Sequence, residues 1–173
     1  LTVWLSPFIC FTAEEAWISR FPSADDSVHL QLFPKIPDTW QNDQLGSKWQ
    51  KIRALRRVVT GSLELERAEK RIGSSLESHP TVYTNKTYFD VIKDMDFAEI
   101  AITSDINISL DPVPPNAFIL EDVEDIGVKF KGAKGNKCER CYKVLPEVGT
   151  MVGYETLCNR CADAVIHYQE KAV

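Results

Sequence analysis

Four cysteines near the end of the chain constrain its fold more than any other feature. Cys138-Glu139-Arg140-Cys141 and Cys158-Asn159-Arg160-Cys161 form two C-x-x-C pairs separated by sixteen residues. A C-x-x-C turn lets two thiolates converge on one ion at about 2.3 Å, and two such turns fill all four tetrahedral positions. The pattern therefore predicts one structural zinc held by Cys138, Cys141, Cys158 and Cys161, with no open position for a water nucleophile. Thiolates also suit iron, but the spacing is unlike that of cluster-binding runs, and zinc is the default for a closed four-sulfur set. Two disulfides or two redox pairs are the other readings. Disulfides require an oxidising compartment, and redox C-x-x-C pairs open a helix in a thioredoxin-like βαβ unit, which this sequence does not display.

At 173 residues, 44% hydrophobic and 26% charged, the chain has the composition of a globular protein long enough for one domain or two small ones. The apolar opening Leu1 to Phe11 lacks a basic flank and contains Pro7, so it is expected to be neither a signal peptide nor a membrane span. It starts at Leu, which reads as a piece of a longer protein. Val3, Trp4, Phe8 and Phe11 are expected in a core at the end of a helix that begins upstream, and Cys10 is expected to be a small buried hydrophobe.

The net charge of −5 conceals a division into blocks. Residues 48–71 hold eight Lys/Arg against three acids, residues 90–125 hold ten acids against one Lys, and residues 129–160 hold seven basic residues against three acids. A polyanion meets local patches rather than the total charge, so two basic blocks keep nucleic acid open as a partner. The alternative is that these charges only solvate helix faces.

Thr12-Ala13-Glu14-Glu15 has the form of a capping box and predicts a helix over Ala13–Arg20. Pro22, Pro34 and Pro37 mark an irregular connection in which Ser27–Leu30 is at most a short extended piece. From Asp38 or Thr39 a long helix is expected, with Leu45, Trp49, Ile52, Leu55, Val59 and Leu63 as its buried stripe and Gly73 as its left-handed cap. Arg53 and Arg57 share one face of it, as do Arg67 and Arg71. Gly61 in its middle costs about 1 kcal/mol relative to Ala. Thr81–Thr84, Ile100–Thr103, Ile106–Leu110 and Ile126–Lys131 read as strands, Tyr88–Lys93 as a helical turn, and Ala162, Val165, Ile166 and Gln169 as a short terminal helix. The resulting class is α+β: residues 1–73 the end of a helical bundle, 74–134 a small α/β junction, and 135–173 a four-cysteine zinc finger with its helix. His29, His79 and His167 stand apart from any Ser or Cys nucleophile, and no glycine loop for phosphate is present, so the chain carries no recognisable catalytic set.

Three stretches resemble a known family, in family order and over most of the chain. Leu5-Ser6-Pro7-Phe8 with Phe11 to Trp17, then Ser27-Val28-His29-Leu30 and Phe33-Pro34, resembles the anticodon-binding region of the class I synthetases for Ile, Val and Leu. Leu63-Glu64 and Glu66 to Lys70 leading into Ile72-Gly73-Ser74-Ser75-Leu76-Glu77 is similar to the family's run ending in IGSSLEA, with Ser78 in place of Ala. Gly135 to Cys141 and Leu157 to Cys161 look like the C-terminal zinc finger of bacterial isoleucyl-tRNA synthetases, with Tyr142 where that family usually has Trp. Residues 84–98 and 111–125 match no family motif.

The resemblance implies a cytoplasmic, monomeric parent enzyme that joins isoleucine to tRNA(Ile). Its ATP and Mg would bind in a catalytic core upstream, since the His-Ile-Gly-His and Lys-Met-Ser-Lys-Ser signatures and the editing domain are absent from these residues. The present piece would bind tRNA, with no membrane and no DNA as partners and with the upstream domains of its own chain as neighbours. Splayed anticodon bases stack on aromatic or guanidinium planes and phosphates meet Lys or Arg. The candidate RNA contacts are therefore Arg53, Arg57, Arg67, Lys70, Arg71, Arg140, Tyr142, Lys143 and Arg160. Two rivals remain. A DNA glycosylase of the formamidopyrimidine type has a finger of the same spacing but needs a catalytic N-terminal Pro and a helix-two-turn-helix, neither visible here. A protein-binding zinc module would use the basic blocks only as solvated surface.

Overall fold

The computed structural model describes residues 1–22 and 26–171 and divides the chain into two compact units, Leu1–Asp43 and Gln44–Val173. In the first, α1 (Thr2–Leu5) and α2 (Cys10–Arg20) pack with a 3-10 turn at Val28–Leu30, and a second 3-10 turn follows at Asp38–Trp40. The expected capping box does not form. α2 starts two residues before Thr12 with Ile9 at its N-cap, and no side chain caps it. Glu14 instead accepts hydrogen bonds from the Ser27 hydroxyl (3.0 Å) and the Val28 amide (2.9 Å), which winds Val28–Leu30 into a 3-10 turn rather than an extended piece. Ala13 and Val28 are buried, whereas Phe8 and Phe11 are 83% and 91% exposed and Cys10 is exposed, so the expected core at these three positions is not found within this unit. Val3 and Trp4 are half-buried.

All but the first residue of α3 (Asp43–Ala68) lies in the second unit, and the helix is shorter at both ends than the sequence predicts. Its start is displaced because Asp38–Trp40 closes as a separate 3-10 turn. Its end comes at Ala68 because Lys70 takes a left-handed conformation (φ 59°). There the amides of Lys70 and Arg71 donate to the carbonyls of Arg67 (3.0 Å) and Glu66 (2.9 Å). That pair of bonds is a Schellman cap with lysine in the place usually held by glycine, and Gly73 is left to the following turn. The stripe is buried from Ile52 through Leu55, Val58, Val59 and Leu63, while Leu45 and Trp49 are partly exposed.

This stripe packs on a four-stranded sheet of order β2-β1-β4-β3, built from β1 (Thr81–Tyr83), β2 (Asn107–Ser109), β3 (Phe118–Leu120) and β4 (Val123–Lys129). β1 pairs in parallel with β2 and antiparallel with β4, which in turn pairs antiparallel with β3. Val82, Ile126 and Val128 face the helix from the sheet and share its core with Ile72, Ile92, Phe97 and Ala101. Gly61 sits where α3 meets β3: a Cβ there would lie 2.9 Å from the Phe118 ring, so the glycine makes room for an aromatic side chain. Between β1 and β2 lie α4 (Lys86–Ile92) and α5 (Phe97–Ala101). The expected strand at Ile100–Thr103 is therefore the end of a helix. Asp96 caps α5 by accepting from the Glu99 amide (3.0 Å), and Ile102 ends it in the left-handed region (φ 58°).

Past β4 the chain forms a hairpin, β5 (Asn136–Lys137) with β6 (Val144–Leu145), and then α6 (Asn159–Lys171), longer than the short terminal helix the sequence predicts. Gln169, expected on that helix, has a side chain outside the described set, as are residues 172–173 at the end of the expected finger range. The helical, mixed-sheet and cysteine-cluster composition is α+β as expected. Among the described residues no helix is long and apolar enough to cross a membrane.

Candidate metal centre and nucleic-acid interface

The first cysteine pair rides on the β5–β6 hairpin. The Cys138 amide donates to the Lys143 carbonyl (2.9 Å) and the Tyr142 amide to the Cys138 carbonyl (2.9 Å), while Tyr142 adopts φ 64°. These bonds curl Cys138 and Cys141 toward one point. Gly135 is needed at the base of the knuckle, because at φ 116° a Cβ would lie 2.3 Å from the Leu145 backbone. The second pair opens α6, and the Cys158 amide donates to the Cys138 sulfur (3.3 Å), tying the two halves together.

All four sulfurs lie within 4.8 Å of one another, and the Cys141 and Cys158 sulfurs are 3.7 Å apart. A tetrahedron with metal–sulfur bonds of about 2.3 Å has edges of about 3.8 Å, so the donor set fits a four-coordinate ion. A disulfide needs about 2.05 Å, and all four cysteines are free, which removes the disulfide reading. Cys138, Cys158 and Cys161 are buried and Val148, Leu145 and Leu157 pack around them, so the cluster is the core of the finger.

The surroundings shift the thiols of this centre in opposite directions. Burial pushes the Cys138 thiol up, but the amides of Cys141, Cys158 and Arg140 outweigh it and bring it down to about 6. Burial pushes Cys158 up to about 12, and the neighbouring sulfurs add to that. Burial likewise raises Cys141 against the Lys143 amide. Arg140 lays its guanidinium 3.8 Å from the Cys161 sulfur.

The other candidate RNA contacts divide into paired and unpaired groups. Arg57 pairs with Asp122, Arg67 with Glu64 and the Ser75 hydroxyl (3.0 Å), Arg71 with Glu66 (2.9 Å) and Glu69, and Arg160 with Glu99. The hydrogen bond from Arg71 holds the Glu66 carboxyl below the usual carboxylate range. Arg53 and Lys70 are exposed and, among the described residues, carry no ion pair. Tyr142 is 56% exposed with the Lys137 ammonium 5.2 Å from its ring centroid. Lys143 is half-buried and lines a cleft of about 220 Å³ with Glu99, Ile102, Thr103, Leu76, Cys141 and Arg160.

Ser104, unremarked in the sequence, joins these parts. It is 4% exposed, its hydroxyl donates to the Leu76 carbonyl, and it accepts from the Val144 amide (2.6 Å). Its own amide donates to the Ser78 carbonyl (3.1 Å). One buried serine thus couples the finger hairpin to the turn after α3. No local pattern signals this, because the partners are 28 and 40 residues away.

Residues 1–83 match the family described as the anticodon-binding domain of tRNA ligase. Curated relatives that the chain resembles carry the name isoleucine–tRNA ligase. It is 45% identical over 170 residues to isoleucine–tRNA ligase of Bartonella henselae and 46% identical over 170 residues to that of Brucella abortus biovar 1, covering 98% of this chain in each. The ligase of Agrobacterium fabrum is 47% identical over 166 residues, or 95% of the chain. The chain spans 17% of the length of each of these relatives. This similarity runs through the finger as well as the helices, and it supports the ligase reading over the glycosylase one.

Proposed function

We propose that this chain is the tRNA-binding portion of an isoleucine–tRNA ligase and recognises the anticodon side of tRNA(Ile). The parent enzyme would attach isoleucine using ATP and Mg bound in domains other than these 173 residues, acting as a monomer in the cytoplasm. Residues 1–73 would complete the helical anticodon-binding domain, residues 74–134 would join it to the finger, and residues 135–173 would form the finger around one zinc. The observation that carries this reading is identity of 45–47% along nearly the whole chain to ligases of that name. The closed sulfur set supports zinc in a structural role, since nothing in it leaves room for a reacting water.

Within this reading Tyr142 offers a ring for a base, and Arg53, Lys70 and Lys143 offer cations for phosphates. Arg57, Arg67, Arg71 and Arg160 could serve only by exchanging a carboxylate for a phosphate, and Arg140 only by leaving a sulfur. The test is titration of the zinc-loaded chain with tRNA(Ile), with an unrelated tRNA and duplex DNA as competitors. Affinity is expected at the weak end, roughly 10⁻⁴–10⁻⁶ M, and steep in salt. Tyr142→Ala is expected to lose about 1–3 kcal/mol without changing the salt slope. Equal competition by duplex DNA, or no effect of Tyr142→Ala, refutes the anticodon-side assignment.

A further inference from the structure

The ion pairs described above leave most arginines occupied, and they turn attention to cations that the structure leaves open. Lys131 and Lys134 follow β4 on the way to the finger. Both are exposed and, among the described residues, neither side chain makes an ion pair or hydrogen bond.

They flank a pocket of about 220 Å³ whose walls include His79, Asp105, Val144 and Pro146. The backbone holding this pocket is firmly placed. The His79 amide donates to the Lys131 carbonyl (2.7 Å), the Ala133 amide to the Glu77 carbonyl (2.8 Å), and Ser78 and Gly132 form an antiparallel bridge. The two lysines are thus fixed against the turn that follows α3, and β6 closes the far side.

One wall of the pocket carries a buried polar atom. The His79 Nε2 is buried and makes no hydrogen bond, although it lies 3.5 Å from the Asp105 carboxylate. The other oxygen of Asp105 accepts from the Ile106 amide (2.8 Å). Two lysines against one carboxylate leave one net positive charge. That matches the single negative charge of a phosphodiester better than the near-double charge of free phosphate at neutral pH. The volume lies below the roughly 300–1,000 Å³ of small-molecule sites, which fits one group of a polymer rather than a whole ligand.

We infer that the pocket between His79, Lys131, Lys134 and the finger hairpin seats a backbone phosphate of bound RNA. The inference rests on the RNA-binding reading above and assigns it a contact outside the nine residues picked from the sequence. Lysines meeting phosphate contribute affinity without base preference and steepen the salt dependence.

The experiment titrates the zinc-loaded chain with a fluorescent RNA stem-loop at several salt concentrations. It compares wild type, the Lys131→Ala/Lys134→Ala double variant, and Lys86→Ala/Lys93→Ala as a charge-matched control at the two ends of α4. In parallel, the imidazole resonances of His79 are followed on adding dimethyl phosphate, inorganic phosphate, and the stem-loop. The expected result is a salt slope lower by about one to two units for the Lys131/Lys134 variant alone. His79 signals should move with the stem-loop and with dimethyl phosphate in wild type and stay fixed in that variant. If RNA binds wild type and variant with equal slopes and His79 is silent, the pocket assignment falls and the RNA reading stands. If wild type binds no RNA, both fall. If inorganic phosphate moves His79 while RNA does not, the pocket takes a free anion and the assignment to a backbone phosphate is overturned.

Discussion

Replacing Gly61 by Ala sets a local preference against a tertiary contact, and the structure determines which prevails. An alanine at a helix interior is worth about 1 kcal/mol over glycine, so propensity alone makes Gly61→Ala stabilising. The added Cβ would lie 2.9 Å from two carbons of the Phe118 ring. Comfortable carbon–carbon separation is about 3.5–4.0 Å. The ring is the far end of its side chain, but Phe118 packs against the core, and β3 is held to β4 through the Phe118–Val128 pair. Pushing it back by more than half an ångström belongs to the overpacking range of about 1–3 kcal/mol. The net expectation is a loss of about 0–2 kcal/mol. In a Phe118→Leu background, where the ring is gone, the same substitution should recover its gain of about 1 kcal/mol. The assay is urea unfolding of all four proteins at fixed zinc, read as a double-mutant cycle. With slopes of about 1–3 kcal/mol per molar, a coupling of about 1–3 kcal/mol moves midpoints by several tenths of a molar or more. If Gly61→Ala stabilises both backgrounds equally, the ring does not press on this glycine and the account of why it is there is wrong.

Two further outcomes follow from the finger and from the end of α3. Elemental analysis should find one zinc per chain; chelation should unfold residues from about 135 onward while the α3 core stays folded, since that core shares no residue with the sulfur cluster. Metal-free protein with a fully ordered finger by amide exchange would contradict this. Because Arg71 depresses the Glu66 carboxyl, the pair stabilises the fold above the unfolded value near 4.3 and loses that contribution as pH falls through the lower folded value. Arg71→Gln should raise the Glu66 titration midpoint measured by NMR, and an unchanged midpoint would show that the hydrogen bond is not formed in solution.

What could be read from the chain were features whose cause is local. Ile52, Leu55, Val59 and Leu63 are spaced for one helix face and are all buried, and the two C-x-x-C turns carry their convergence in their own spacing. The strand at Thr81–Tyr83 was visible in a short β-branched run. Ile100–Thr103 misled because Ile-Ala-Ile-Thr alternates, yet Asp96 three residues before Glu99 held a readable cap that outweighs four residues of alternation. Thr12 misled in the opposite direction: its box with Glu15 was intact in the sequence, but the helix begins two residues before Thr12, so Thr12 lies inside it rather than at its cap. Which cations are free for a ligand could not be read at all. Arg57 meets Asp122 across 65 residues and Arg160 meets Glu99 across 61, and such pairings are properties of the folded topology.

The order β2-β1-β4-β3 has a consequence for how the chain is made. The apolar stripe of α3 ends at Leu63, but β4, which supplies Val123, Ile126 and Val128 to cover it, ends at Lys129. A ribosome adding about 5–20 residues per second therefore leaves that stripe without its sheet for roughly 3–13 s. β1 likewise waits first for β2 and then for β4, because both of its neighbours are encoded after it. The nascent helix is a client for whatever shields hydrophobic surface during translation, and the cysteines reach solvent only after the last strand of that sheet.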